Sequence, residues 1–247
     1  MTNRLIYIVL LVAQVALGQS FEKGNEQYRA GKYAEAAASY EAVLAGKQES
    51  AEVYFNLGNA YYKMDKVAPA VFNYEKALLL DPNYKAAEVN LGFAQKMTID
   101  NIKAVPEAGF SKLLNNFTGS YHYDTWAWAA VVFSAVFLLL FIGYYLAGAT
   151  MLKRVFFVGM FVALLAMAIS LLSAVFVRSA FAKERPAIVF AEVVSVKSEP
   201  LSSSQDAFVL HEGTKVFVTE TLDNWSKIQL ADDSEGWIEK DAIKELK

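Results

Sequence analysis

Two blocks of this chain contain no charged residue. Residues 125–152 and 155–177 run through 28 and 23 apolar, small or uncharged polar positions, separated only by Lys153 and Arg154. At 1.5 Å rise per residue, the shorter block makes a helix of about 35 Å, enough to cross a hydrocarbon core of about 30 Å. The pattern predicts two transmembrane helices, residues 125–149 and 155–177, joined by a turn at 150–154. Trp126, Trp128, Tyr144 and Tyr145 lie near the ends of the first, where amphipathic rings favour the membrane interface. The second carries the run GMFVALLAMAISLLSA, whose small residues suit a close helix–helix contact. Neither block holds a charged side chain, which argues for an anchor in the lipid bilayer rather than a transport pathway.

The first eighteen residues follow a different pattern. Arg4 precedes an apolar stretch at 5–17, and Ala16 and Gly18 place small residues before Gln19. These are the parts of a secretory signal at 1–18, with retention as an uncleaved anchor the alternative. A leading hydrophobic segment usually dominates orientation. The expectation is therefore that the 150–154 turn faces the cytoplasm and both flanking regions are exported. The flanking charges run the other way: Lys112, Arg178, Lys183 and Arg185 stand against Lys153 and Arg154.

Residues 19–102 show helical periodicity and an internal repeat. Gly24, Gly58 and Gly92 are spaced by 34, and Asn25, Tyr28, Ala36 and Tyr40 match Asn59, Tyr62, Ala70 and Tyr74 at the same offset. Gly58 and Ala70 are small where two antiparallel helices would cross, with Tyr54, Leu57, Tyr61 and Tyr74 filling the seam. Pro69 suits the first turn of a second helix, and Pro82 stops it. The middle copy, residues 51–84, resembles the tetratricopeptide repeat (TPR) along its whole length, through Tyr54, Leu57, Gly58, Tyr61, Ala70, Tyr74, Ala77 and Pro82. The third copy supplies only a first helix. The resemblance implies a helical stack with a groove for peptides or partner helices, lined by Asn25, Tyr28, Arg29, Phe55, Asn59, Tyr62, Lys63, Phe93 and Lys96. In some TPR domains asparagines help clamp a carboxylate, and Asn25 and Asn56 occupy such positions, but Phe21 replaces the lysine that clamp requires.

The next segment, residues 103–124, reads as a linker in which Phe110, Leu113, Leu114 and Phe117 share one face of a short interfacial helix. A second linker, 178–186, follows the second span. From residue 187 to 247 the period falls to two, in short alternating pieces around AIVFAEVVSVK, GTKVFVTET, WSKIQLAD and EGWIEKDAI. Short strands in a stretch this long predict a small all-β barrel. Val194, Val196, Pro200, the Gly213–Val216 run, Trp225 and Gly236-Trp237-Ile238 resemble the bacterial SH3-like (SH3b) domain. Some members of that family bind cell-wall peptides. Trp225 and Trp237 are the candidate surface aromatics, more readily placed as core and rim residues than as a ligand platform.

Composition narrows the function. Of 247 residues 55% are hydrophobic, and cysteine is absent, so disulfides and thiolate chemistry are excluded. The barrel region carries 12 acidic and 6 basic residues, a local net of −6, and the whole chain is at −3. That balance disfavours nucleic acid and anionic polymers. The chain holds two histidines, no Gly-rich phosphate loop and no nucleophile or metal motif. A non-enzymatic protein without metal or cofactor is expected. The order signal, TPR, linker, two spans, SH3-like barrel resembles the BatE-type proteins of the aerotolerance (Bat) operon. That resemblance implies a bacterial inner-membrane protein holding two periplasmic interaction domains, with other Bat-type proteins as partners in aerotolerance or envelope stress. Peptidoglycan binding by the barrel is the alternative.

Overall fold

The computed structural model describes residues 20–103 and 109–247, so the expected signal at 1–18 lies outside the described residues. It is a helical TPR region, two long apolar helices and a C-terminal antiparallel sheet of SH3-like form. Contacts divide it into two units, one made of the helical repeats together with Arg185–Lys247, the other of the apolar hairpin region.

The repeats form α1 (residues 20–29), α2 (Tyr33–Ala45), α3 (Ala51–Lys63), α4 (Val67–Leu80) and α5 (Lys85–Gln95). Ser50 starts α3 by accepting the Val53 N–H on its hydroxyl at 3.2 Å, a cap worth about 1 kcal/mol. The regular spacing of the glycines has a steric cause in the first two copies. A Cβ on Gly24 would lie 2.6 Å from the Tyr40 ring, and one on Gly58 would lie 2.8 Å from that of Tyr74. A Cβ on Gly92 would meet nothing within 4 Å, because among the described residues no second helix of the third copy packs on α5.

In the same unit, β1 (Pro186–Val189), β2 (Val193–Lys197), β3 (Asp206–His211), β4 (Lys215–Leu222), β5 (Trp225–Gln229), β6 (Glu235–Glu239) and β7 (Ile243–Glu245) form one sheet in the order β3-β2-β6-β5-β4-β1-β7. Register breaks at Val196/Lys197 and Val218/Glu220 bend it, as bulges do, around a core that includes Val189, Val196, Leu210, Val216, Ile228 and Ile238. The alternation in the sequence did not single out β3. Its Leu210 is buried and Phe208 packs on the core, whereas Val209 is exposed.

The second unit holds α6 (Gly109–Thr118), α7 (Tyr123–Leu146) and α8 (Thr150–Lys183). The last two are long and apolar enough to cross a membrane, with mean hydropathy of 2.3 and 2.7 over their most apolar windows. Only 6% and 11% of those windows is buried, the reverse of a soluble protein's core helix. They pack against each other through small residues. Ala163, Ser170, Ser173 and Ala174 of α8 are buried, Gly143 sits against Phe156, and Gly159 sits against Leu140. Lys153 and Arg154, expected in a turn, lie in the first turn and a half of α8. In α6, Leu113 and Phe117 are exposed, and the Trp126 indole N–H of α7 donates to the Thr118 carbonyl at 2.8 Å.

Candidate interaction surfaces

Eight of the candidate groove residues fall on α1, α3 and α5, the first helices of the three copies, and Lys96 caps the C-terminus of α5. A repeating ladder of hydrogen bonds holds them together. Asn25 Oδ1 accepts from the Tyr40 hydroxyl at 2.9 Å and from Asn56 Nδ2 at 3.1 Å. One repeat later, Asn59 Oδ1 accepts from the Tyr74 hydroxyl at 2.8 Å and from Asn90 Nδ2 at 2.7 Å. Each asparagine thus ties its helix to the second helix of its own hairpin and to the first helix of the next. Burial pushes the Tyr40 hydroxyl up to about 12, with the neighbouring Tyr28 adding to the effect. Burial raises Tyr74 as well. Both phenols remain donors at neutral pH.

The ladder separates the nine candidate groove residues by role. Asn25 and Asn59 spend their carbonyl oxygens on the fold. Phe55 is half-buried, its ring 5.0 Å from that of Tyr84 and 6.1 Å from that of Tyr74. Tyr28 packs edge-on against Tyr33, and Tyr62 is half-buried against the α4 core. Arg29, Lys63, Phe93 and Lys96 are exposed, with Lys96 Nζ 5.4 Å from the centroid of the Phe93 ring. These four can meet a partner without any rearrangement. In the barrel, Trp225 and Trp237 are both half-buried. Trp225 borders a polar cleft of about 400 Å³ with Ser202, Asn224 and Asp241, while Trp237 lies across from Lys197 and Lys227 on neighbouring strands.

The feature that sequence reasoning missed is the joint between repeats and barrel. Leu91 and Ala94 of α5 and Val67, Val71 and Phe72 of α4 share one buried cluster with Ile188 and Leu246 of the barrel. The barrel closes the end of the stack that the incomplete third copy leaves open, as a terminal cap does in a repeat array. Polar contacts fix its orientation. Asp100, which follows α5, accepts the His211 backbone N–H at 2.7 Å and the Thr214 hydroxyl at 2.6 Å on Oδ2, and His211 Nδ1 lies 2.7 Å from its Oδ1. Burial opposes the Asp100 charge, but these donors outweigh it and hold the carboxyl below its ordinary 3.8. Buried Glu75 of α4 accepts from Lys215 Nζ at 2.7 Å. Gly213, at φ +84°, turns the chain where a Cβ would strike Thr98 and Val67 at 2.7 and 2.9 Å. Ile102 reaches the barrel core itself. Residues 98–102 therefore form part of the joint rather than a free tether. The only hint in the sequence is the half-finished third copy, which leaves an apolar helix face without a cover.

Comparison with known proteins assigns the two modules separately. No curated protein matches the chain. Residues 51–84 match the tetratricopeptide repeat, residues 24–65 match the TPR repeat, and residues 192–244 match the bacterial SH3 domain. Strand β1 and Leu246, which carry much of the apolar joint, lie outside the matched stretch. The chain thus joins two modules that typically bind proteins or cell wall, through an interface that neither module's pattern contains.

Proposed function

We propose that this protein is an inner-membrane-anchored scaffold that presents one composite binding head, repeats and barrel together, at the periplasmic face. The observation that carries this reading is the shared buried cluster of α4, α5, Ile188 and Leu246, which makes one body of two modules. Two spans return the chain to the side it left, so both modules lie on one side of the membrane when α7 and α8 both cross it. The exported side follows from the signal-like pattern of residues 1–18. The exposed set Arg29, Lys63, Phe93 and Lys96 receives a segment of a partner protein. The order of parts points to a Bat-type complex linked to aerotolerance or envelope stress.

The test uses the full chain, affinity-tagged and solubilised from membranes, with co-purifying membrane proteins identified by mass spectrometry. Phe93→Ala with Lys96→Glu is the informative variant, because Phe55 and Tyr62 support the core. Specific loss of a co-purifying partner, with membrane insertion unchanged, is expected. Capture unchanged by this variant would sink the groove reading. A second reading rests on the cleft beside Trp225 and the bacterial SH3 match: binding of peptidoglycan peptides. In that case the detergent-solubilised chain sediments with purified cell wall and Trp225→Ala prevents it. The barrel's local net of −6 favours the scaffold.

A further inference from the structure

We propose that a second cleft, between the α2–α4 helices and strand β7, binds an extended acidic segment of a partner polypeptide by adding a strand to β7. It goes beyond the groove reading, because it uses the opposite side of α3: Tyr54, Leu57 and Tyr61 rather than Phe55, Asn59 and Tyr62.

The cleft encloses about 410 Å³, and Tyr54, Tyr61, Phe72 and Phe190 give it an aromatic floor. Two of its three lysines are held over those rings. Lys76 Nζ lies 5.5 Å from the Tyr54 centroid and Lys244 Nζ lies 4.5 Å from that of Phe72. Among the described residues neither lysine belongs to an ion pair. The carboxylates of the lining are engaged. Glu41 accepts from the Tyr61 hydroxyl, and Glu245 takes the Arg185 guanidinium on both oxygens at 3.0 and 2.7 Å. A barrel that is acidic overall therefore turns a locally cationic, aromatic surface toward this cleft.

Strand β7 supplies the other half of the site. Among the described residues it is an edge of the sheet and pairs only with β1, through Ile243, Lys244 and Glu245. Such an edge is a template for an incoming strand. Side chains of an added strand alternate between its two faces. A segment alternating Asp or Glu with Phe or Leu would turn one of its faces to the cleft, where its carboxylates would meet Lys76 and Lys244 above the aromatic floor. Charge and unpaired backbone together select this occupant over a basic or helical one.

The probe is a fluorescein-labelled hexapeptide alternating Asp with Phe and Leu, titrated by polarisation onto the full chain in nanodiscs, with empty nanodiscs as baseline. A peptide with Lys in place of Asp and one with alternate N-methylated amides are the comparisons. We expect the acidic peptide to bind, the basic one to bind at least about tenfold more weakly, and N-methylation to abolish binding. Lys76→Glu should weaken binding about tenfold, and Lys244→Met, which keeps a stem over Phe72 but no charge, should weaken it less. Phe93→Ala should change nothing, so failure of the groove reading and of this one are read on different variants. Equal binding of acidic and basic peptides, no binding at all, or indifference to Lys76→Glu would each overturn the proposal. So would self-association of the chain that Lys76→Glu abolishes, which would assign the cleft to a second copy.

Discussion

The helical stack and its joint with the barrel are both held by hydrogen bonds and apolar packing, yet they are built on opposite principles. In the stack, the asparagine ladder links residues 15 and 31 positions apart, and the same set of bonds recurs one repeat later. In the joint, the bonds that the Asp100 and Glu75 carboxylates accept span 111 to 140 positions, and each occurs once. A periodic structure distributes its stability over copies, so damage to one rung stays near that rung. A unique interface between modules concentrates its stability, so damage there is felt on both sides. The chain uses the first device to make a surface and the second to make that surface one body with the barrel.

The sharpest way to break this contrast is at Leu246, fully buried between the barrel and α4. Leu246→Ala removes about three methylene-sized groups from a packed site and should cost about 2–5 kcal/mol. Hydrogen exchange should show lost protection in α4 and in β1 together. If only the barrel strands lose protection, the joint is not the shared core described above.

That joint is also where the sequence was least informative. The 34-residue spacing exposed α3, α4, their glycine–tyrosine crossings and the missing partner of α5, because repeats write their contacts at fixed offsets. Period-two alternation located most of the barrel in the same way, although β3, which follows a serine-rich loop, escaped it. The absence of charge over residues 125–152 and 155–177 marked the two long helices. The candidate groove residues were legible by position only: the sequence could not show that Asn25, Asn59 and Phe55 are committed to the fold while Phe93 and Lys96 stand free of it. Nothing local marks Asp100 as the partner of His211, since an acid after a helix is usually solvated. Its role exists only once the barrel has folded back across the end of the stack.

The ladder gives the complementary test. Asn59→Ala removes the acceptor of both the Tyr74 hydroxyl and Asn90. Leaving a buried phenol unsatisfied costs about 1–3 kcal/mol. Protection should fall in α3, α4 and α5 with the barrel strands β5 and β6 unchanged. A loss that extends to β5 and β6 would mean that the stack and the joint are one cooperative network, and the contrast would fail.

The smallest effect is expected from acid, and it acts on one contact of the joint. Asp100 is held below its ordinary 3.8 in the folded protein. A carboxyl depressed by folding contributes stability that is fully present above the unfolded value. That contribution shrinks as pH falls through the folded value, because the unfolded chain takes up the proton first. The most direct reporter is the His211 backbone N–H, which donates to Asp100. Its exchange protection, corrected for the intrinsic pH dependence of exchange, should decline below about pH 4. Asp100→Asn should start with weaker protection at neutral pH and show little further decline. Parallel acid profiles in the two proteins would show that the joint does not depend on this carboxylate, leaving the apolar cluster and the Glu75–Lys215 pair to set its geometry.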